Sequence, residues 1–268
     1  MYNKCDFAVI DFETNGVGEG KQPVEFACVI IDGHRLTLKD QGIFSSLCSI
    51  IPDEEVDIYG LDKTDKKALD VNNLTIDQIN AAPPLKKIWN DFESFMQYHN
   101  QSGNVYNNPI LVAHNKDFDE ELLDNIKLGL HRGKHILSEK PLAKSKVKKM
   151  DDKELRNYIN NMTTLKEPWK FSGRKIFHPI FKIDTLQNCF NWFSFQREPE
   201  RMNQVAICEF LGFDTTYAHG ALFDALITAE IMVRMLKIQR EVSGDTDFNT
   251  KGMMHLPVLQ TIKEFGRK

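Results

Sequence analysis

Two carboxylates close the first apolar run of the sequence. Phe7-Ala8-Val9-Ile10 leads straight into Asp11, Phe12 and Glu13. Residues two apart on a strand share a face, so Asp11 and Glu13 stand side by side. Like charges at that spacing repel and raise each other's pKa. Two more acids occupy comparable edges. "LVAHNKDFDEELL" sets Asp119 just past a short apolar strand, at a helix start. "YAHGALFDALITAEIM" sets Asp224 in the first turn of a long helix, five residues after His219. Taken singly, a helix-start aspartate serves as a cap or a dipole partner, and a lone histidine is a hydrogen-bonded structural residue. Four acids from one strand end and two helix starts converge only around positive charge. An oxygen-donor set without cysteine suits Mg²⁺ or Mn²⁺ rather than Zn²⁺. Two such ions about 4 Å apart clamp the attacking and leaving oxygens of a phosphoryl transfer.

The elements that must position these groups follow from hydrophobic patterning. Residues 6–11 and 24–32 read as strands, "GHRLTLKDQG" as a turn region, and "IFSSLCSII" as a third strand closed by Pro52. Short connections make these three an antiparallel meander. Residues 53–83 are polar with weak helical signal. From Pro84, the positions Leu85, Ile88, Trp89, Phe92, Phe95 and Met96 recur at helical spacing. Then come a buried strand at 109–115, the amphipathic helix "FDEELLDNIKLGL", a fifth strand at 180–184, helices near 186–195 and 202–211, and a long helix from Ala221 to about Val242. Strands first, then strand–helix alternation, give an α/β domain with a mixed five-stranded sheet flanked by helices. The domain expected is 1–242, with a C-terminal tail over 243–268.

Composition narrows the class. The 268 residues are 41% hydrophobic and 27% charged, as in an ordinary folded domain. No apolar run reaches the roughly 18 residues needed to span a bilayer, and the N-terminus does not read as a signal peptide. Five scattered cysteines (Cys5, Cys28, Cys48, Cys189, Cys208) include no C-x-x-C pair, which argues against a zinc site or a disulfide framework. A reducing compartment is expected, cytoplasmic or nuclear, with no membrane partner. The net charge of −4 hides an asymmetry. Residues 130–182 hold 14 Lys or Arg against 5 Asp or Glu, and the rest of the chain holds 20 against 33.

"VIDFETNG", "VAHNKDFD" and "HGALFDALITAEIM" resemble, in order, the three motifs of the DnaQ-like, DEDDh-type 3′–5′ exonucleases of the ribonuclease H-like superfamily. "VEFACVII" resembles the family's second strand with its Glu25, "KIDTL" the strand before the following helix, and "RMNQVAICEFLGF" the helix before the histidine motif. The resemblance covers about 5–128 and 180–240. It implies two Mg²⁺ (or Mn²⁺) held by Asp11, Glu13, Asp119 and Asp224, with His219 as general base. It implies that the backbone at Phe12 and Thr14 holds the terminal nucleotide, with Phe12 also a candidate for apolar contact. The H-N-x-x-F-D spacing selects Asp119 over Asp117. Asn15 and the Lys116-Asp117 pair depart from the family's small residues at the site's rim.

The insert 130–182 is the large departure from the family pattern. Lys144, Lys146, Lys148 and Lys149 can neutralise phosphates, and Trp169, Phe171 and Phe177 can stack on bases. A solvated loop with an apolar end packed into the core is the competing reading. The function expected is metal-dependent removal of 5′-mononucleotides from the 3′ end of a nucleic acid, single-stranded before double-stranded and DNA before RNA, in proofreading or repair. The alternative is a nucleic-acid-binding or polymerase-docking module with little catalysis of its own. A polymerase or replication partner goes with either, and a ligand-binding protein on the same fold is a third reading that the basic insert argues against.

Overall fold

A computed structural model describes residues 5–18, 20–54, 56, 62–100, 102–127, 175–193, 199–216 and 218–242. Five strands form one sheet: β1 (Phe7–Thr14), β2 (Pro23–Ile31), β3 (Leu38–Leu47), β4 (Ile110–Ala113) and β5 (Lys182–Asp184). Their order across the sheet is β3-β2-β1-β4-β5. β1, β2 and β3 pair antiparallel, while β4 and β5 join in parallel, so the sheet is mixed as expected. Among the described residues the α-helices are α1 (Lys66–Val71), α2 (Ile76–Ala81), α3 (Leu85–His99), α4 (Lys116–Lys127), α5 (Thr185–Phe193), α6 (Gln204–Phe210) and α7 (Ala221–Val242).

Side-chain alternation divides the core in two. Phe7 and Val9 of β1 join Ala27, Val29 and Ile31 of β2 on the face covered by α7, with Cys189 of α5 and Ile207 of α6. Ala8, Ile10 and Phe12 join Phe26, Cys28 and Ile30 on the face covered by Ile88, Trp89, Phe92 and Met96 of α3 and by Leu122 and Leu123 of α4. Each fully buried side chain of this size is worth about 1.5–3 kcal/mol relative to its exposed state. A one-residue slip of β1 would turn Asp11 and Glu13 into the aromatic cluster, so burial fixes the register that fixes the site.

Two expectations change. The stretch expected as a turn after β2 begins β3, which runs from Leu38 through Gly42 before the apolar residues start. As the sheet's edge strand it keeps Asp40 and Gln41 in solvent, and polar composition there does not exclude pairing. Phe177, expected to stack on bases, is buried against Phe92, with ring centroids 6.2 Å apart. Lys144, Lys146, Lys148, Lys149, Trp169, Phe171 and the tail 243–268 lie outside the described residues.

The far end of α7 is tied down. Arg240 donates through Nη1 and Nη2 to the carbonyls of His34 and Gly33, at 2.8 and 2.5 Å, in the turn after β2. Only glycine fits at Gly33, because a Cβ there would stand 1.7 Å from the Cys5 carbonyl oxygen. No helix among the described residues is long and apolar enough to cross a membrane.

Candidate active site

β1 ends beside the start of α7. Asp11, Glu13 and Asp224 each offer a carboxylate oxygen, and the three oxygens lie within 4.8 Å of one another. Asp11 and Glu13 share the α7 face of the sheet, as alternation requires. Asp224 is 8% exposed and reaches them from the first turn of α7. Its Oδ2 accepts from the His219 N–H at 3.2 Å, and its own N–H donates to the Gly220 carbonyl at 2.9 Å. His219 holds φ at 68°, a left-handed conformation that few non-glycine residues adopt. The tight turn it makes brings both the histidine and Asp224 to the cavity wall.

Asp119 is not one of that trio, but it touches their strand and its charge acts on Asp11 and Glu13. It sits in the first turn of α4, and the Phe12 N–H donates to its carboxylate. At 2% exposure, its Oδ1 has no hydrogen-bond partner. Asp117 points outward on the same turn, its side chain 88% exposed and paired with Lys116.

Burial, then mutual repulsion, sets the electrostatics. Desolvation pushes Glu13 up to about 8, with Asp224, Glu25 and Asp119 adding. Desolvation also lifts Asp224 to about 7, against the His219 N–H, which favours its charged form. Asp11 is raised well above the carboxylate range by burial and by its acidic neighbours, and Asp119 by burial. Such a cluster is costly without a counter-charge. A buried, unpartnered Asp119 oxygen beside three crowded carboxylates has the donor chemistry of a hard divalent cation site.

A cavity of about 450 Å³ opens over these groups. Asp11, Glu13, His219 and Asp224 line it together with the loop after β1 (Gly16, Val17) and α1 (Lys67, Ala68, Val71). Phe118 also borders it, with Lys21 Nζ 4.7 Å from the ring centre. Phe12 and Thr14 border the cavity as well, but the Phe12 ring is 4% exposed and stacks on Phe26 at 4.3 Å. The ring is part of the core cluster on the α3 face. Thr14 is tied locally, its hydroxyl donating to the Gly16 carbonyl and its carbonyl accepting from Asn72 Nδ2.

Sequence reading missed the wall made by α1, whose six residues carry little helical signal, and the exposed tip at Val17. It also gave no role to Glu25, which faces Glu13 directly across the β1–β2 ladder. His114, just past β4, is a joint. His114 Nδ1 pairs with Thr185 Oγ1 at 3.0 Å and Nε2 with the Met202 carbonyl at 3.2 Å, tying β4 to α5 and to the segment before α6.

Solved structures share this fold. The chain is similar to the nuclease domain of 3′hExo, a DEDDh family member, bound to rAMP, with a TM-score of 0.55 at 18% identity over 87% of this chain and 92% of that one. It is similar to a 3′-exonuclease in a structure of 3′-end recognition of histone mRNA stem-loop, with a TM-score of 0.54 at 18% identity, 87% of this chain and 82% of that one. Exonuclease I of E. coli in complex with a dT13 oligonucleotide gives 0.57 at 15% identity, over 90% of this chain and 43% of that one. Among curated proteins none matches the chain by sequence. The family model RNase_T, described as exonuclease, matches residues 8–178. That span contains Asp11, Glu13 and Asp119, and the fold brings His219 and Asp224 to them from beyond it. The chain belongs to this exonuclease family and is a DnaQ-like 3′–5′ exonuclease on a ribonuclease H-like fold.

Proposed function

We propose that the chain hydrolyses single-stranded nucleic acid from a free 3′ end, one 5′-mononucleotide at a time, with two divalent cations held by Asp11, Glu13, Asp119 and Asp224. The observation that carries this reading is the trio of carboxylate oxygens within 4.8 Å, with an unpartnered Asp119 oxygen buried beside it. Mg²⁺ or Mn²⁺ bound there supplies charge neutralisation and Lewis acidity to the phosphoryl group. The chain's own residues do the rest. His219, on the cavity wall, takes a proton from the attacking water. The water oxygen bonds to phosphorus as the bond to the upstream O3′ breaks. The products are a nucleoside 5′-monophosphate and a strand one nucleotide shorter with a free 3′-hydroxyl.

Val17, Val71 and Phe118 offer apolar surface to the terminal base across the cavity. Single strands fit this role because a stacked, paired base does not present its face. Lys144, Lys146, Lys148, Lys149 and Trp169 of the basic insert are proposed to grip the strand upstream.

The test is a 5′-labelled oligonucleotide, as DNA and as RNA, single-stranded and paired, incubated with Mg²⁺, with Mn²⁺ or with EDTA. A ladder shortening from the 3′ end, with 5′-mononucleotide as product and EDTA abolishing it, is the expected result. Equal activity in EDTA overturns the metal assignment. Binding without cleavage under every metal condition would leave the docking-module reading instead.

A further inference from the structure

We propose that Glu25 is a positioning residue of the exonuclease site: by holding the first backbone N–H of α7 it sets Asp224 and His219 against Asp11 and Glu13. This deepens the metal-site reading above and rests on it.

The geometry is specific. Glu25 lies on β2 and pairs in register with Glu13 on β1. It is half-buried, and its Oε2 accepts from the Ala221 N–H at 3.0 Å. Ala221 is the first residue of α7, between the turn that carries His219 and the turn that carries Asp224. The first N–H groups of a helix lack partners within the helix, and a carboxylate there satisfies one and complements the helix dipole. The His219 turn has a second bond, from the His219 N–H to Asp224, but that one closes within the turn itself. The Glu25 bond instead joins the turn to the sheet. It comes from the residue directly opposite Glu13, so the two halves of the trio are referenced to one rung of the β1–β2 ladder.

A glutamate in that place carries a cost. It adds a further carboxylate to a crowded site and raises Asp11, Glu13 and Asp224 further. A neutral acceptor would serve the Ala221 N–H with less repulsion. Positioning therefore makes a distinct forecast from direct coordination. Glutamine, which keeps an acceptor oxygen at the same reach, should substitute for Glu25 if its task is to hold the helix. It should fail if the charge itself binds metal.

The experiment compares Glu25→Ala, Glu25→Gln and Asp11→Ala with the wild-type chain. The readouts are the Mn²⁺ concentration for half-maximal activity, kcat at saturating Mn²⁺, and hydrogen exchange of the Ala221 amide. In Glu25→Ala the half-saturating Mn²⁺ should rise about 10- to 100-fold, the usual cost of losing a group that orients metal ligands. The Ala221 amide should exchange faster. Glu25→Gln should restore both values close to wild type. If Glu25→Ala matches wild type, the inference is wrong. If Glu25→Gln is as impaired as Glu25→Ala while the Ala221 amide stays protected in it, Glu25 acts through its charge and positioning is overturned. Should Glu25→Ala fail to fold, the Glu25→Gln comparison alone decides. Full activity in Asp11→Ala would instead sink the metal-site reading, a failure separable from that of the inference.

Discussion

The backbone N–H of His219 donates to Oδ2 of Asp224 at 3.2 Å, so the proposed base and a proposed metal ligand are linked through main chain and not through the imidazole. The imidazole can then be removed without disturbing Asp224. We expect His219→Ala to lower kcat by roughly 10²–10⁴-fold, the span of a lost general base. Substrate affinity and half-saturating Mg²⁺ should hold. Imidazole added to the buffer should recover part of the rate. The same turn constrains the choice of control: φ at 68° tolerates asparagine better than a branched residue, so His219→Asn is the fold-preserving partner of the alanine variant.

Removing a carboxylate from the trio should end activity while leaving the fold intact. Asp11→Ala and Glu13→Ala each take away a ligand and also a repelling charge. Without metal their melting temperatures should equal or exceed that of the wild type, and Mg²⁺ should raise them less. Thermal melts with and without Mg²⁺, beside a nuclease assay, check both halves.

Metal-free stability should fall as pH rises. Glu13 is lifted from 4.5 to about 8 and Asp224 from 3.8 to about 7, in both cases chiefly by burial. The folded chain therefore keeps protons that the unfolded chain has released, and the unfolded state gains on it across that interval. Melting in EDTA should give a lower Tm at pH 8 than at pH 5 from these groups. Mg²⁺ should oppose the loss, with more effect at pH 8, where the cation does not compete with protons.

The lysines of the insert should act on binding alone. Neutralising Lys144, Lys146, Lys148 and Lys149 together should weaken single-strand affinity and flatten its salt dependence, by at most about 0.7 in slope for each phosphate that then goes unneutralised. Turnover at saturating substrate should stay nearly unchanged. Affinity titrations between low and moderate salt measure this, and an unchanged slope would make these lysines solvated charge only.

The parts of the site legible in sequence were those with strong periodic neighbours. Asp11 and Glu13 close an apolar strand, and Asp224 opens a helix whose residues from Ala225 to Val233 are all buried, so patterning located them. Alternation also held the answer for Phe12: a strand that turns Asp11 and Glu13 to one face turns the residue between them to the other, onto Phe26. The α1 wall was not legible, because a six-residue helix capped by Asp65 depends on contacts from the loop after β1, such as the Asp65 N–H donating to the Asn15 carbonyl. The resemblance named Glu25 on the second strand, but patterning gave it no role, for a similar reason. One acid in an apolar strand has no periodic partner, and its meaning lies in Ala221, 196 residues away.

Both ends of α7 are fastened to the same strand and its turn. Glu25 holds the first residue, and Arg240 grips the Gly33 and His34 carbonyls about 30 Å away along the helix, at 1.5 Å per residue. β2 spans the gap between the two fastenings, so helix and strand form a closed brace with the site at one corner. With both fastenings present, heating the wild-type chain should loosen the corners together. Heat inactivation of the nuclease should therefore coincide with global melting, with no milder temperature at which the fold persists and the site has come apart. Damage at the distant corner, such as Arg240→Ala, should be felt at the site as a lowered inactivation temperature rather than as a changed reaction.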